Sequence, residues 1–374
     1  IAWMGIIGAT PDRWWAAFEI PLWTRALVGG VTAGLVVLSF AAVPALWRRA
    51  RVAAAAALVL FTLTPSMIGW LNASTLAWPK AFDAAAAEVD RGRAVTMVVL
   101  LDELNARQSE GLVQAIAARG LVTRMAAVTS VASRTQNTVP SLFLGRSFDG
   151  SEPCAPTMSC DADGAIDFAR IHATRPDIDV AGFYKPYCSI RGLRSCVRAP
   201  AALRLTDTTA LRCRLWRRTG WPLAVDDAAC KRSGVQDWAA MTDAVVEAAR
   251  RAPALSQGGL MYLHLPLPHP PADSIEGTVS QHYQRNLDRS AALLSELIER
   301  AQSNGLAPRL LVFSDHPLRQ SMWCVREPYL SDRCVIDPEL SDEQVPVIAA
   351  GAEPPDLSGL DSNLSVFELA GRLR

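Results

Sequence analysis

Histidine is scarce in this 374-residue chain, with five copies, and no cysteine precedes Cys154. An excess of positive charge is missing as well: Lys and Arg number 37 against 37 Asp and Glu, a formal charge of zero. Without a basic stripe carrying interleaved aromatics there is no electrostatic footprint for nucleic acid, which is excluded as a partner. No C-x-x-C occurs, which removes the usual zinc-cysteine knuckle. Charge is also absent from two long stretches near the start of the chain, and those absences set its organisation.

The stretches run from Ala26 to Leu46 and from Val52 to Leu71. Each is near the roughly 20 apolar residues that a helix needs to span a bilayer. Arg48, Arg49 and Arg51 lie between them, and Trp14, Trp15, Trp23, Trp47, Trp70 and Trp78 cluster near their ends. The basic turn belongs on the cytoplasmic side and the tryptophans at the interfaces. The expectation is an outward-facing segment over 1–25, two transmembrane helices over 26–72 with a cytoplasmic turn at 47–51, a linker over 73–93, and an extracytoplasmic domain over 94–374. The bilayer is then a partner of the chain, and the cell (inner) membrane its location, with the domain on the periplasmic side.

All eight cysteines fall after these runs, in four close pairs. An even set on the outward side suggests disulfides in an oxidising compartment. Loop closure makes Cys154–Cys160, Cys188–Cys196, Cys213–Cys230 and Cys324–Cys334 the cheapest pairings. A disulfide-rich insertion is expected at about 186–232.

Ala94 to Glu103 is the strongest strand signal: a run rich in β-branched residues that ends in Asp102 and Glu103. Such a run is expected to be buried on both faces of a parallel sheet, and ligands bind at the carboxyl ends of such strands. Further strands are expected at Val122 to Val128, Val180 to Tyr184, Gly259 to Leu265, Arg309 to Phe313 and Val345 to Ala350. Helices are expected at Ser109 to Arg119, Ser141 to Gly145, Asp161 to Thr174, Val235 to Arg250, Gln281 to Ser303 and Val366 to Leu373. The alternation implies an α/β fold with a mainly parallel central sheet and helices on both faces.

Three of these strands end in chemistry: Asp102-Glu103, His264 with nearby His269, and Asp315-His316. Carboxylate with imidazole suits Zn²⁺ or Mn²⁺, while carboxylates alone suit Mg²⁺ or Ca²⁺. The loop from Thr129 to Pro140 is dense in hydroxyls, and a bound metal can lower the pKa of such a nucleophile.

In this order the blocks VVLLDEL, SRTQNTVPSLFLGR, HLPLPHPP and LLVFSDH resemble the sulfatase branch of the alkaline-phosphatase superfamily. The membrane hairpin resembles that of its phosphoethanolamine transferases and lipoteichoic acid synthases. The resemblance implies that Asp102, Glu103, Asp315 and His316 ligate one divalent metal, Zn²⁺ before Mn²⁺, Mg²⁺ or Ca²⁺. It implies Thr135 as nucleophile, with Thr138, Ser133 and Ser130 as alternatives. His269 would contact the substrate or protonate the leaving group; His264 is a candidate for substrate binding or a half-buried strand residue. The formylglycine motif C/S-x-P-x-R is absent, which argues for a threonine that carries the transferred group. The expected function is a membrane-anchored hydrolase or transferase of phosphate or sulfate esters on an envelope lipid or polysaccharide. Pro317 stands where the family has glycine and no histidine follows His316, so the alternative is a silent relative that binds an envelope polymer or partner protein.

Overall fold

The computed structural model describes residues 73–74 and 94–373, apart from 156, 162–163, 174, 200–226, 325–328 and 330–333. Strand β2 (Ala94–Asp102) is buried along its whole length, as its unbroken apolar run requires. It is the middle of a seven-stranded sheet ordered β3-β11-β10-β2-β9-β7-β8. The other members are β3 (Val122–Thr129), β7 (Ile178–Gly182), β8 (Ser195–Arg198), β9 (Gly259–Pro268), β10 (Ala307–Ser314) and β11 (Gln344–Gly351). Strands β10, β2, β9, β7 and β8 run parallel, and β11 runs against them, paired antiparallel to β10 on one side and to β3 on the other. The central sheet is thus mainly parallel.

Alternation along β2 divides the core in two. Val95, Met97, Val99 and Leu101 pack with α1 (Glu110–Ala117), α3 (Asp227–Arg250), α4 (Ala254–Gln257) and α5 (Val279–Ser303) through Leu112, Val245, Leu255 and Leu294. On the other face Val98 and Leu100 meet Val139 and Phe143 of α2 (Thr135–Leu144) and Phe367 of α7 (Val366–Ala370). Helix α5 opens with a capping box between Thr278 and Gln281. A short helix α6 (Gln320–Cys324) follows β10.

Several elements differ from expectation. The helix expected at Ser141 to Gly145 begins six residues earlier, at Thr135, and stops at Gly145 in the left-handed conformation (φ 64°) that glycine adopts without strain. Among the described residues of 161–174 there is no α-helix: β6 (Ala165–Asp167) and a 3₁₀ turn at Phe168–Arg170 stand there instead. The Asp167 carboxylate accepts from Thr157 Oγ1 and the Ala169 N–H, which favours this turn over a helix. Strand β6 joins β1 (Ala73–Ser74), β4 (Glu152–Ala155) and β5 (Met158–Cys160) in a second sheet, β1-β6-β5-β4. Part of the expected insertion, β8, is the edge of the central sheet.

Three expected disulfides are present: Cys154–Cys160, Cys188–Cys196 and Cys324–Cys334. Cys230 is also bonded, and its expected partner Cys213 lies outside the described residues. Among the described residues no helix is long and apolar enough to cross a membrane; both expected membrane runs, and the alanine-rich part of the linker, lie outside them.

Candidate active site

Parallel register brings the acids together. Leu101 of β2 pairs with Ser314 of β10, so Asp102 and Asp315 leave the sheet side by side at its carboxyl edge. Both are buried, at 3% and 0% exposure. The chain then turns at Glu103, which takes a left-handed φ of 63°, uncommon for a residue with a Cβ. That turn is held from three sides. The Glu103 N–H donates to Asp315 Oδ1 (3.1 Å), its carbonyl accepts from Tyr283 Oη (3.0 Å), and Oε2 accepts from Trp323 Nε1 (2.7 Å).

Thr135 is the first residue of α2, and its hydroxyl lies between the acids. Oγ1 is 2.5 Å from Asp315 Oδ2, 3.3 Å from Asp102 Oδ1 and 3.4 Å from His316 Nε2. His316 Nδ1 lies 3.0 Å from the Pro317 carbonyl, which can only accept, so Nδ1 is the donor there and Nε2 is the atom that faces Thr135. One ligand atom from each of Asp102, Asp315 and His316 fits within 4.8 Å of the others. Two carboxylates and one imidazole are a donor set for a divalent transition metal.

The charge of the site supports that fit. Burial, then the neighbouring Asp315 and Glu103 carboxylates, hold Asp102 well above the ordinary carboxylate pKa. Burial pushes Asp315 the same way but is outweighed by His316, the Thr135 hydrogen bond, His264 and the Glu103 N–H, so its pKa is lowered. The two carboxylates therefore oppose one another's ionisation, with Asp315 the one favoured to ionise, and a divalent ion would accommodate the charge of both.

The remaining expected residues stand further out. Glu103 is adjacent, but its carboxylate is engaged by Trp323 and is not part of the three-ligand group. His264 is fully buried rather than half-buried, with Nδ1 2.7 Å from Tyr187 Oη. Burial pushes its pKa down to about 3, so the ring is neutral, and burial beside Tyr262 keeps Tyr187 protonated as the donor. His269 follows Pro268, the register partner of Asp102, and stacks on Trp238 with centroids 4.3 Å apart while Trp323 meets it edge-on at 4.4 Å. Of the alternative nucleophiles, Ser130 donates to the Asp315 carbonyl and Thr138 to the Ala132 carbonyl (3.2 Å).

Two residues of the site carry no motif. Lys185 is fully buried, and its Nζ donates to the Gln136 carbonyl at 3.0 Å, one residue from Thr135. That carbonyl is available because Pro140, four residues on, has no N–H to give it; Ser151 Oγ takes it as well (2.8 Å). The sequence signal was Pro140 inside a helix. Asn363 is the second, also fully buried, donating to the Ser314 and Asp315 carbonyls (2.9 and 3.1 Å) while accepting the Val131 N–H (2.9 Å). No local pattern announces it.

The chain matches no family model and no curated protein. Among solved structures it is similar to the C-terminal periplasmic domain of phosphoethanolamine transferase EptC from Campylobacter jejuni, at 12% identity and a TM-score of 0.38 over 75% of this chain and 90% of that one. A putative sulfatase from Bacteroides thetaiotaomicron VPI-5482 gives 13% and 0.40 over 75% and 71%. The periplasmic domain of EptC from Escherichia coli, solved in complex with Zn, gives 10% and 0.36 over 75% and 81%. All three fall in the alkaline-phosphatase and sulfatase superfamily that the sequence blocks resemble. Likenesses this distant leave the chemistry to be argued from the side chains.

Proposed function

We propose that the chain is a metal-dependent hydrolase or transferase that moves a phosphoryl or sulfuryl group from an ester onto Thr135 and then to water or an acceptor alcohol. The observation that carries this is the Thr135 hydroxyl, held by Asp315 at 2.5 Å with Asp102 and His316 within 3.4 Å. Asp102, Asp315 and His316 would hold the metal, with Zn²⁺ or Mn²⁺ the best match to two oxygens and a nitrogen. When bound, the metal would lower the pKa of the hydroxyl and stabilise the oxygens of the transferring group.

The chain's own residues do the rest. Thr135 Oγ1 attacks phosphorus or sulfur as its proton passes to the hydrogen-bonded Asp315 carboxylate. The ester bond breaks and the departing oxygen takes up a proton, for which His269 is the candidate donor. Position at the start of α2 adds the partial positive charge of a helix N-terminus beside the transferred anion. Lys185 places a second positive charge behind the first turn. Water or an acceptor alcohol then attacks the group on Thr135 and restores the hydroxyl.

Envelope lipids or polysaccharides are the substrates this reading favours, with the chain anchored by 26–46 and 52–71. The disulfides support an oxidising, extracytoplasmic location. A silent binding relative is the second reading, favoured by the engagement of Glu103 with Trp323.

Metal analysis of purified protein, with turnover of a generic phosphodiester by wild type and Thr135→Ala, separates the two. Stoichiometric metal and a loss of at least about a thousandfold in the variant are expected. Absence of metal together with equal background rates would sink the enzyme reading.

A further inference from the structure

We infer that a groove at the amino edge of the central sheet, remote from Thr135, binds a phosphate group between Arg124, Arg309 and Arg372. The groove is independent of the reaction proposed at the carboxyl edge, and its occupancy does not require that reaction.

Arg309 is the third residue of β10 and Asp315 follows the last, so about 20 Å of strand separates the groove from the acids, at about 3.3 Å per residue. The groove has a volume of about 950 Å³, and its sides come from β3, β10, the turn after β11 and the residues after α7. Strand register builds it. Leu311 of β10 pairs with Ala349 of β11, and Ala349 pairs in turn with Arg124 of β3. Toward the amino edge Gly351 pairs with Val122, while Arg309 stands next to Leu310, the partner of Ala350. Alternation puts Arg124 and Arg309 on the face where Leu311 and Ala349 pack with Phe367 of α7. With β11 between them the two arginines leave the sheet on the order of 10 Å apart, and what β11 sets in that gap is Ala349 and Gly351, a methyl group and no side chain. The chain after α7 closes the end of the groove and brings Arg372, and the Leu373 carbonyl accepts from Arg309 Nη1 at 3.2 Å.

In a chain of zero net charge this lining is cationic: three guanidinium groups stand against the one carboxylate of Glu353. Asp356 lies 4.0 Å from Arg124, but both side chains are largely exposed, and a pair of that kind contributes little. The Leu373 carbonyl sets the direction of the Arg309 guanidinium and brings no charge to set against it. Arg124 and Arg372 are exposed, so an anion reaches them from solvent.

The number of arginines selects the anion. Each planar guanidinium offers a fork of N–H donors that takes two oxygens of a carboxylate or a phosphate. A carboxylate is satisfied by one fork. A phosphate spreads its oxygens over a tetrahedron and accepts donors that converge from several sides, as those on β3, β10 and the chain after α7 do. A free phosphate ester and a phospholipid headgroup share this chemistry.

The test uses the full chain in phosphatidylcholine nanodiscs, treated with chelator so that the acids at the carboxyl edge offer no cation to an anion. Titration calorimetry with inorganic phosphate should show a site whose affinity falls about tenfold or more in Arg124→Ala and in Arg309→Ala and is unchanged in Thr135→Ala. Acetate should bind at least about tenfold more weakly than phosphate. Arg124 is exposed, so Arg124→Ala should melt with wild type, and its loss of affinity supports the groove even where Arg309→Ala lowers the melting temperature. Phosphatidylglycerol added to the discs separates the two sources. A fall in apparent phosphate affinity beyond that caused by the same lipid in Arg124→Ala assigns the groove to a lipid headgroup, and an equal response assigns it to a free phosphate ester. Absence of phosphate binding, acetate binding of equal strength, or phosphate binding that Arg124→Ala and Arg309→Ala both leave intact would overturn the site. Each of these results leaves the reading of Thr135 where it stood, since none of them measures turnover.

Discussion

Pro140 sits in the sixth position of α2, where it removes one helical hydrogen bond. The loss falls on Gln136, whose carbonyl turns to Lys185 and Ser151. Pro140→Ala would restore the helical donor and compete for that carbonyl. Its melting temperature should stay level or rise while turnover falls several-fold; a variant that melts lower with full activity would refute the role. His264 gives a second prediction. Its pKa is pushed down to about 3 by burial, against about 6.5 unfolded. A base with a lowered folded pKa contributes stability that is complete above pH about 6.5 and lost as pH falls toward about 3, by about 1.4 kcal/mol per pH unit. Denaturant titrations between those limits should show that slope, and His264→Gln, which has no such proton to gain, should flatten it.

At the scale of elements, the site depends on how three segments are tied. Asn363 links the turn after β3 to the last residues of β10, and the Thr129 N–H donates to the Asp361 carbonyl beside it. Replacing Asn363 by Ala leaves the Val131 N–H without this acceptor and the Ser314 carbonyl without this donor, while the Asp315 carbonyl keeps Ser130, at a cost of about 2 to 4 kcal/mol. Urea melts should read that loss, and a greater fall in kcat than change in KM would mark misplacement of Thr135 relative to Asp315. These ties also explain what was legible beforehand. Asp102, Asp315 and His316 end hydrophobic runs, and Thr135 lies in a hydroxyl-rich loop at a fixed distance from Pro140, so each carries a local signal. Lys185 and Asn363 act through partners 49 and 232 residues away, a separation no local pattern encodes. The helix expected at 161–174 failed for a related reason: its residues pair across a second sheet, and pairing overrode their helical spacing.

For the whole molecule, a divalent ion that binds only the folded chain should raise its stability by about 2.7 kcal/mol at a hundred times its dissociation constant. Thermal melts with Zn²⁺ or Mn²⁺, and after chelation, would measure this; identical curves would count against the three-ligand site. The Asp102 contribution has the opposite pH sense to that of His264: its folded pKa is raised, so in metal-free protein its stability is present at low pH and lost as pH rises through the raised value. The acids meet only where β2 and β10 lie in register, and the contact between Glu103 and Asp315 spans 212 residues of chain. Closing so long a loop comes late and slowly in folding. The centre therefore does not exist in a partly folded chain, and an ion cannot nucleate the fold; it can only lock it. On the proposed function, a nascent or misregistered domain would be inert, and metal uptake would report that β2 and β10 have come into register.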